Sequence, residues 1–278
     1  MRLTYHVCKG VSMRSCNDPV LTYLNSLGYL VVLLPKADVR PLQLYEVQGK
    51  KLHRLGELTS LLTAGSEIIV PAVDTNLPAS NISGQVTSTL SIGVGLSVLG
   101  SFLGAMGGST LGLRAQYSTA KTVTFEFHDV LEDRVDVILL DQYLADADVN
   151  PYSTYVGTLL EASVLAVTTN TIKSHKITME AKDASGMALA LSIPAIQGVV
   201  GGNVQVSCAT AMSSRLTYEG PMPLIFGFQA RQLFYDQGQY TAIKPLPPPA
   251  TIKGLPPIRD DGTELLMVEG PFVQLHTQ

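Results

Sequence analysis

The chain has 278 residues, enough for one large domain or two small ones with a sizeable core. Hydrophobic residues make up 46%, an ordinary share, but charged residues only 15%, against roughly 25% in an average soluble domain. The net charge of -4 argues against a nucleic-acid binder, and three cysteines (Cys8, Cys16 and Cys208) make no paired framework and fit a reducing compartment. Weak charging leaves neutral surface, which suits a protein that changes partner or phase and equally suits a plain β-rich soluble protein.

The first dozen residues carry Arg2, His6 and Lys9 but no apolar core of seven or more, so no signal peptide is expected. Met1 and Met13 are both open as the start; from Met13, Cys16 would be the fourth residue. Asp18-Pro19 reads as a helix N-cap and N1, with a helix over Val20 to Leu27 closing at Gly28. Tyr29 to Leu34 is a short buried strand stopped by Pro35. The stretch from Lys36 to Arg54 is the most basic: Lys36, Arg40, Lys50, Lys51 and Arg54 outnumber Asp38 and Glu46. It reads as a solvated face or as a lipid-facing one. A turn with a short helix follows over Leu55 to Leu62, then a strand over Glu67 to Pro71.

Ile82 to Leu113 carries no charged side chain. Ile92, Leu96, Leu99, Leu103 and Met106 fall on one helical face, and Gly100, Gly104 and Gly108 form a small-residue stripe that would let another backbone approach. Three readings stay open: a transmembrane helix, which needs about 20 apolar residues; a buried helix of a soluble domain; and a segment that meets lipid later. Gly93-Val-Gly95 lacks the third glycine of a dinucleotide loop at its proper place, and Gly95-Leu-Ser97-Val-Leu99 lacks the closing glycine of a nucleophile elbow. Neither supports catalysis.

From Arg114 the pattern turns to strands. Val123 to Phe127 alternates cleanly. Asp129 to Val137 reads as an acidic turn into a strand over Val137 to Leu140, and Asp141 to Asp148 as a helix broken at Asn150-Pro151. Val164 to Thr169 and Thr171 to Glu180 read as two strands, the second with mixed alternation. Asp183 to Gly186 is a turn. Ala188 to Ile193, Val204 to Cys208, Leu216 to Tyr218, Leu224 to Phe228 and Gln232 to Phe234 continue the sheet, with Gly198 to Gly202 as a flexible joint. Such long, weakly charged strands fit an ordinary sheet and also a membrane β-barrel.

Pro245 to Pro257 is an extended proline-rich linker. Beyond Arg259 come Asp260, Asp261, Glu264 and Glu269 without a Lys or Arg, so this tail accounts for the whole net charge of -4. Its apolar pieces, Leu265 to Val268 and Phe272 to Leu275, are expected to dock on the body. The pattern is a body, a protease-accessible linker and a clasp.

Several stretches in order resemble the bacterial gasdermins. They are Cys16-Asn-Asp18-Pro19, Gly28-Tyr29 with Val31 to Pro35, Arg40-Pro41-Leu-Gln-Leu44, Leu55-Gly56-Glu-Leu58, Gly93 to Gly100, Ala105 to Gly108, Phe125 to Val130 and Asp141 to Asp148. The similarity runs from Met13 to about Phe234; the residues before Met13 depart from it, and the tail after Lys244 matches in layout only.

The resemblance implies an α+β fold with a twisted, mainly antiparallel sheet surrounded by helices, and a short C-terminal autoinhibitory segment. It implies no enzyme and no catalytic or metal residues. It divides the chain into an N-terminal extension at 1–12, a pore-forming domain at 13–244, a cleavable linker at 245–259 and an autoinhibitory peptide at 260–278. The implied function is an antiphage death effector: a protease, often caspase-like and encoded nearby, removes the peptide, and the freed body inserts in the inner membrane as a large homo-oligomeric β-barrel. Partners are then that protease, membrane lipids and further copies, with no nucleic acid; the resting form is cytoplasmic.

Cleavage is expected between Lys253 and Arg259, with Leu255 and Arg259 as candidate P1 residues. Leu265, Leu266, Met267, Phe272 and Val273 are the expected tail anchors. Lys36, Arg40, Lys50, Lys51 and Arg54 are the expected basic lipid-facing set. Cys16 matches the family's acylated cysteine, so a palmitoyl group is expected there and no other cofactor, with Ile82–Leu113 as one wall of its pocket. The competing readings are a soluble β-rich binding module and an enzyme. The five histidines lack metal spacing, and His128-Asp129 is a strand-end pair of the structural kind.

Overall fold

The computed structural model describes residues 27–36, 38–48, 51–63, 68–87, 89–152, 154–208, 212–246 and 272–276. The strands are β1 (Leu30–Lys36), β2 (Gln43–Gln48), β3 (Lys51–Glu57), β4 (Val73–Pro78), β5 (Thr122–His128), β6 (Leu131–Val135), β7 (Leu165–Lys182), β8 (Gln205–Ser207), β9 (Arg215–Asp236), β10 (Gln239–Pro245) and β11 (Phe272–His276). The longer helices are α1 (Ile92–Ala105), α2 (Val137–Asp146), α3 (Thr154–Glu161) and α4 (Ile193–Val200). With the short strand Leu90–Ser91 they form an α+β fold around one 12-stranded sheet, antiparallel in every pairing except those of β11.

The sheet is built on β7 and β9, which pair along most of their length. Both were expected in pieces, and both are continuous: β7 runs for 18 residues and β9 for 22. The breaks in alternation come from register shifts between Thr168 and Asn170, Ile172 and Lys173, and Ser174 and Lys176. The first adds one residue on β7, the second one residue on β9, and at the third β7 advances two residues while β9 advances five, all without ending either strand. Ile172, between the first and second shifts, packs in one apolar cluster, and Ile177, Met179 and Ala181, beyond the third, pack in another. Ser174 satisfies the bulge itself. Its hydroxyl donates to His128 O (2.5 Å) or Lys176 O (2.8 Å) and accepts from Lys176 N (3.0 Å).

The distal half of the two long strands carries the largest core. Leu99, Phe102, Leu103 and Met106 of the α1 region meet Phe125, Ile177, Met179 and Leu216. The expected apolar face is the buried one, with Ile92 and Leu96 at its rim. The glycine stripe is met in part: a Cβ on Gly108 would stand 3.4 Å from the Val200 carbonyl and 3.2 Å from Val204, whereas Gly104 faces open space; the tightest approach is at Gly95, outside the stripe, where a Cβ would stand 2.1 Å from Val123 Cγ2. Gly95 is thus the residue that lets α1 lie on β5. α1 has 14 residues, and among the described residues no helix is long and apolar enough to cross a membrane.

Four further expectations change. Val137–Leu140 begins α2, because Asp136 Oδ1 accepts from Ile138 N (2.8 Å) and Leu139 N (3.2 Å) and so caps a helix. The acidic turn before it contains β6. The glycine joint is half helical, since α4 extends to Val200, and Gln197 pins the rest by donating to Gly201 O (2.7 Å) or Val204 O (2.9 Å) and accepting from Val206 N (2.8 Å). Residues 68–72 form no strand, and the expected helix over 20–27 lies almost wholly outside the described residues.

A polar clamp joins the head of β1 to β6 and β7. Tyr29 donates to Glu132, which also accepts from Asn170 Nδ2 at 2.8 Å. Beside it Lys173 Nζ meets Asp133 Oδ2 at 2.5 Å, both side chains only 12% exposed, while Asp133 Oδ1 accepts from Asn76 N at 2.7 Å. Burial, reinforced by the Glu132 carboxylate, holds the Tyr29 phenol far above its ordinary pKa.

Two outcomes follow. Asp133→Ala leaves a buried ammonium and a peptide N–H without their acceptor and should cost about 3–5 kcal/mol in urea unfolding, more than Asp133→Asn. Gly95→Ala should cost about 1–3 kcal/mol, whereas Gly104→Ala, in open space on the same helix, should gain about 0.5–1 kcal/mol by the same assay.

Candidate functional site: a strand slot between β1 and β3

Six strands of the sheet close on themselves. β1 pairs with β9, β9 with β7, β7 with β2, and β2 with β3, all antiparallel. Following the directions round, β1 and β3 point the same way, and a gap separates their facing edges. The C-terminal strand β11 fills that gap parallel to both. Phe272 and Val273 align with Val31 and Val32 of β1; Gln274, Leu275 and His276 align with Lys51, Leu52 and His53 of β3. The ring β1–β11–β3–β2–β7–β9 is thus completed by five residues from the end of the chain.

The ring is filled from inside. Leu30, Tyr45, Leu52, Ala166, Ile225 and Phe228 come together from its strands, with the Tyr45 and Phe228 rings stacked at 6.4 Å. Neighbouring residues point outward: Leu44, Leu165, Val167 and Leu233 pack under α2 and α3 with Leu140, Leu144 and Leu160. This is the period of two that a strand imposes, used on both faces. The mouth of the ring is held by buried Gln43, which accepts from Tyr45 Oη (2.9 Å) and Arg40 N (3.1 Å) and donates to Asp38 O (2.9 Å). Burial raises the Tyr45 phenol well above its ordinary pKa, so the tyrosine remains a neutral donor.

Leu42, at the same mouth, has φ 67, a left-handed conformation uncommon for a leucine. Its N–H donates to Thr168 O (2.8 Å), and its carbonyl accepts from Leu58 N (2.8 Å). These bonds tie the β1–β2 connection to β7 and to the turn after β3.

Of the expected basic set, Lys36, Lys51 and Arg54 lie on the strands that flank this slot, and Arg40 lies between β1 and β2. Lys36 ends β1 and Lys51 begins β3. Arg40 meets Glu57 at 2.9 Å, and Arg54 meets Glu57 at 3.2 Å and Asp38 at 4.0 Å. Glu57, just past the segment singled out as basic, is thus shared by two of its arginines. Lys50 lies outside the described residues. So do Cys16, Lys253, Leu255, Arg259, Leu265, Leu266 and Met267; Phe272 and Val273 lie in β11. His128 binds Thr178 Oγ1 (2.7 Å) and approaches Glu126 (3.6 Å), while Asp129 faces Lys176 at 4.0 Å. The pair His128-Asp129 is divided between two structural contacts. Sequence reasoning missed the closed ring and the parallel seating of the tail. Their one local signal is the apolar piece Phe272-Val-Gln-Leu275.

A twisted, mainly antiparallel sheet with these helices is the gasdermin fold. The structure of a bacterial gasdermin from Bradyrhizobium tropiciagri superimposes with a TM-score of 0.57, covering 95% of this chain and 99% of that one at 16% identity, a likeness of fold. The Bacterial Gasdermin Family matches at residues 32–239. Relatives named gasdermin bGSDM include one from a Desulfuromonadales bacterium, 56% identical over 94% of this chain and 98% of its own length. Another, from Lysobacter enzymogenes, is 42% identical over 82% and 85%. The chain belongs to the bacterial gasdermin family, whose members are pore-forming proteins that act on membranes as oligomers and are not enzymes.

The slot has a direct readout. Val273→Pro with Leu275→Pro removes two backbone donors from β11. Amide exchange at Val31–Val32 and Lys51–His53 should then accelerate about tenfold or more, read by hydrogen-exchange mass spectrometry, with little change in β5 or β8.

Proposed function

We propose that the chain is an autoinhibited pore former whose C-terminal strand holds the body silent. The single observation that carries this reading is the seating of β11 between β1 and β3, where it closes the ring. A strand held by both edges cannot leave while residues 247–271 tether it to the end of β10. A protease that cuts this proline-rich segment, between Lys253 and Arg259 in our reading, frees the strand. The protease is of the caspase-like kind and encoded nearby.

Loss of β11 then leaves two unpaired edges, a template for pairing with other chains. In lipid, such edges are tolerable only when a barrel closes and satisfies every backbone group. The long, weakly charged β7 and β9 are suited to extension into that barrel. Loss of the acidic tail, with Asp260, Asp261, Glu264 and Glu269, also removes the net negative charge and leaves Lys36, Arg40, Lys50, Lys51 and Arg54 to meet anionic headgroups. The resting form is cytoplasmic, the target is the bacterial inner membrane, and the outcome is death of a phage-infected cell. A palmitoyl group on Cys16 would add about 0.8 kcal/mol of membrane affinity per buried CH₂.

Dye release from liposomes of bacterial-type lipids tests the core of this. The intact chain should be silent, and a chain nicked at a protease site engineered at Leu255–Arg259 should release dye within minutes. Leakage from the intact chain, or none from the nicked one, would overturn the reading.

A further inference from the structure

The sheet has two kinds of section, and the third register shift of β7 against β9 divides them. On the ring side, Leu165 to Thr169 of β7 and Leu224 to Phe228 of β9 are buried at every position. Strands covered on both faces belong to a packed domain. On the distal side the cross-strand rows alternate in kind. His128, Lys176, Glu219 and Gln205 stand side by side on β5, β7, β9 and β8. The next row is Phe127, Ile177, Tyr218 and Val206, and the one after it Glu126, Thr178, Thr217 and Ser207. Phe125, Met179 and Leu216 follow. The apolar rows pack under α1. The polar rows lie on the opposite face and are joined across strands: His128 to Thr178 (2.7 Å), Thr178 to Thr217 (2.8 Å) and Arg215 to Glu126. Apolar on one face and polar on the other, at a period of two, is the pattern of a strand with lipid on one side and water on the other.

The divide itself is irregular. Between the pairs Ser174–Leu224 and Lys176–Glu219, β7 has one residue, His175, and β9 has four, Gly220 to Pro223. Pro221 and Pro223 have no N–H to give a ladder, and Pro221 and Met222 are exposed. Backbone of this kind is not tolerated where it faces hydrocarbon. The row beside it is charged: Lys176 lies 3.7 Å from Glu219 and 4.0 Å from Asp129, and His175 lies 3.7 Å from Glu219. Long charged side chains at a membrane boundary keep their heads in water. The helical cover also ends here. A Cβ on Gly220 would stand 1.6 Å from Met106 Sδ, so the residue that follows α1 packs directly on the bulge.

We infer that in the open pore the bilayer surface lies at the row His128–Lys176–Glu219–Gln205, beside this bulge. Distal to that row, the face now under α1 meets acyl chains and the opposite face lines the lumen; on the ring side the strands stay outside the membrane. This rests on the pore-forming reading and deepens it, by fixing where the body stops and the barrel begins. β5 has seven residues, and a spanning strand needs about 9–11. The strands therefore gain length at their distal ends, β7 from the residues beyond Lys182 that now form a turn and α4.

The chain contains no tryptophan, so a single introduced indole reports alone. Variants are nicked at the engineered protease site and added to vesicles of phosphatidylethanolamine and phosphatidylglycerol. Part of the acyl chains carry bromine, either near the headgroup or near the chain end, and dye release is read in the same samples. Phe125→Trp and Phe127→Trp each exchange one aromatic ring for another on the apolar face. Both should be quenched about twofold or more by bromine, Phe127→Trp mainly by the shallow label and Phe125→Trp relatively more by the deep one. Thr217→Trp, on the polar face, and Met222→Trp, in the bulge, should be almost untouched by bromine and quenched instead by aqueous acrylamide. Bromine quenching of Met222→Trp as strong as that of Phe127→Trp would overturn the boundary. Bromine quenching of Thr217→Trp as strong as that of Phe125→Trp would overturn the assignment of faces. Should one aromatic variant not fold, the other still gives both comparisons. Dye release with the wrong quenching pattern removes this inference and leaves the pore-forming reading standing; a nicked parent protein that releases no dye removes both.

Discussion

Everything near the chain's C-terminus turns on backbone hydrogen bonds along two strand edges. β1 and β3 face each other across a gap with their strands pointing the same way. Peptide groups inside a fold must find partners, since each one left buried and unmade costs about 1–3 kcal/mol. β11 supplies them to both sides at once. The ring, its filling of Leu30, Leu52 and Phe228, and the cover of α2 and α3 outside it are arranged around that closure.

The two halves of the molecule are joined by strands rather than by a linker. β7 and β9 pass through the ring and continue into the distal core under α1, so the same two strands serve both halves. Between the halves sit the register shifts of β7 and the clamps on Glu132 and Asp133. The bulge is where strand direction can change without breaking the ladder, and the clamps fix how far it does. A disturbance at the ring thus has a continuous mechanical route to the distal sheet, because no flexible connection lies between them.

Much of the local structure was legible. The face of α1, the clean alternation of β5 and the Asp183 turn all follow from short-range pattern, and the overall α+β class from resemblance. What failed did so for definite reasons. β7 and β9 look broken because the register shifts interrupt the alternation of apolar positions, which in sequence is indistinguishable from a strand end. Val137–Leu140 is an apolar run whose helical fate depends on the single cap Asp136. Of the glycine stripe, Gly108 meets the Val200 backbone and Gly104 meets nothing, while the tightest approach is made by Gly95, which the period did not distinguish. At the slot, the tail's apolar piece was readable over four residues, while its partners stand more than two hundred positions away in sequence. No local signal names them, and the parallel direction of the pairing is set by the ring as a whole. The basic run was equally visible, but its pairing through Glu57 depends on how β3 ends beside the loop at Arg40.

The aromatic filling described inside the ring has a geometric corollary. The bore of a strand ring widens with the number of staves. With β11 gone, β1 and β3 could rejoin only as a ring of one stave fewer, of narrower bore. Tyr45 and Phe228, stacked over Ala166, already occupy the interior of the wider one. On the proposed opening, they would act as a wedge against self-repair, and the free edges of an opened copy would stay available to whatever strand arrives next.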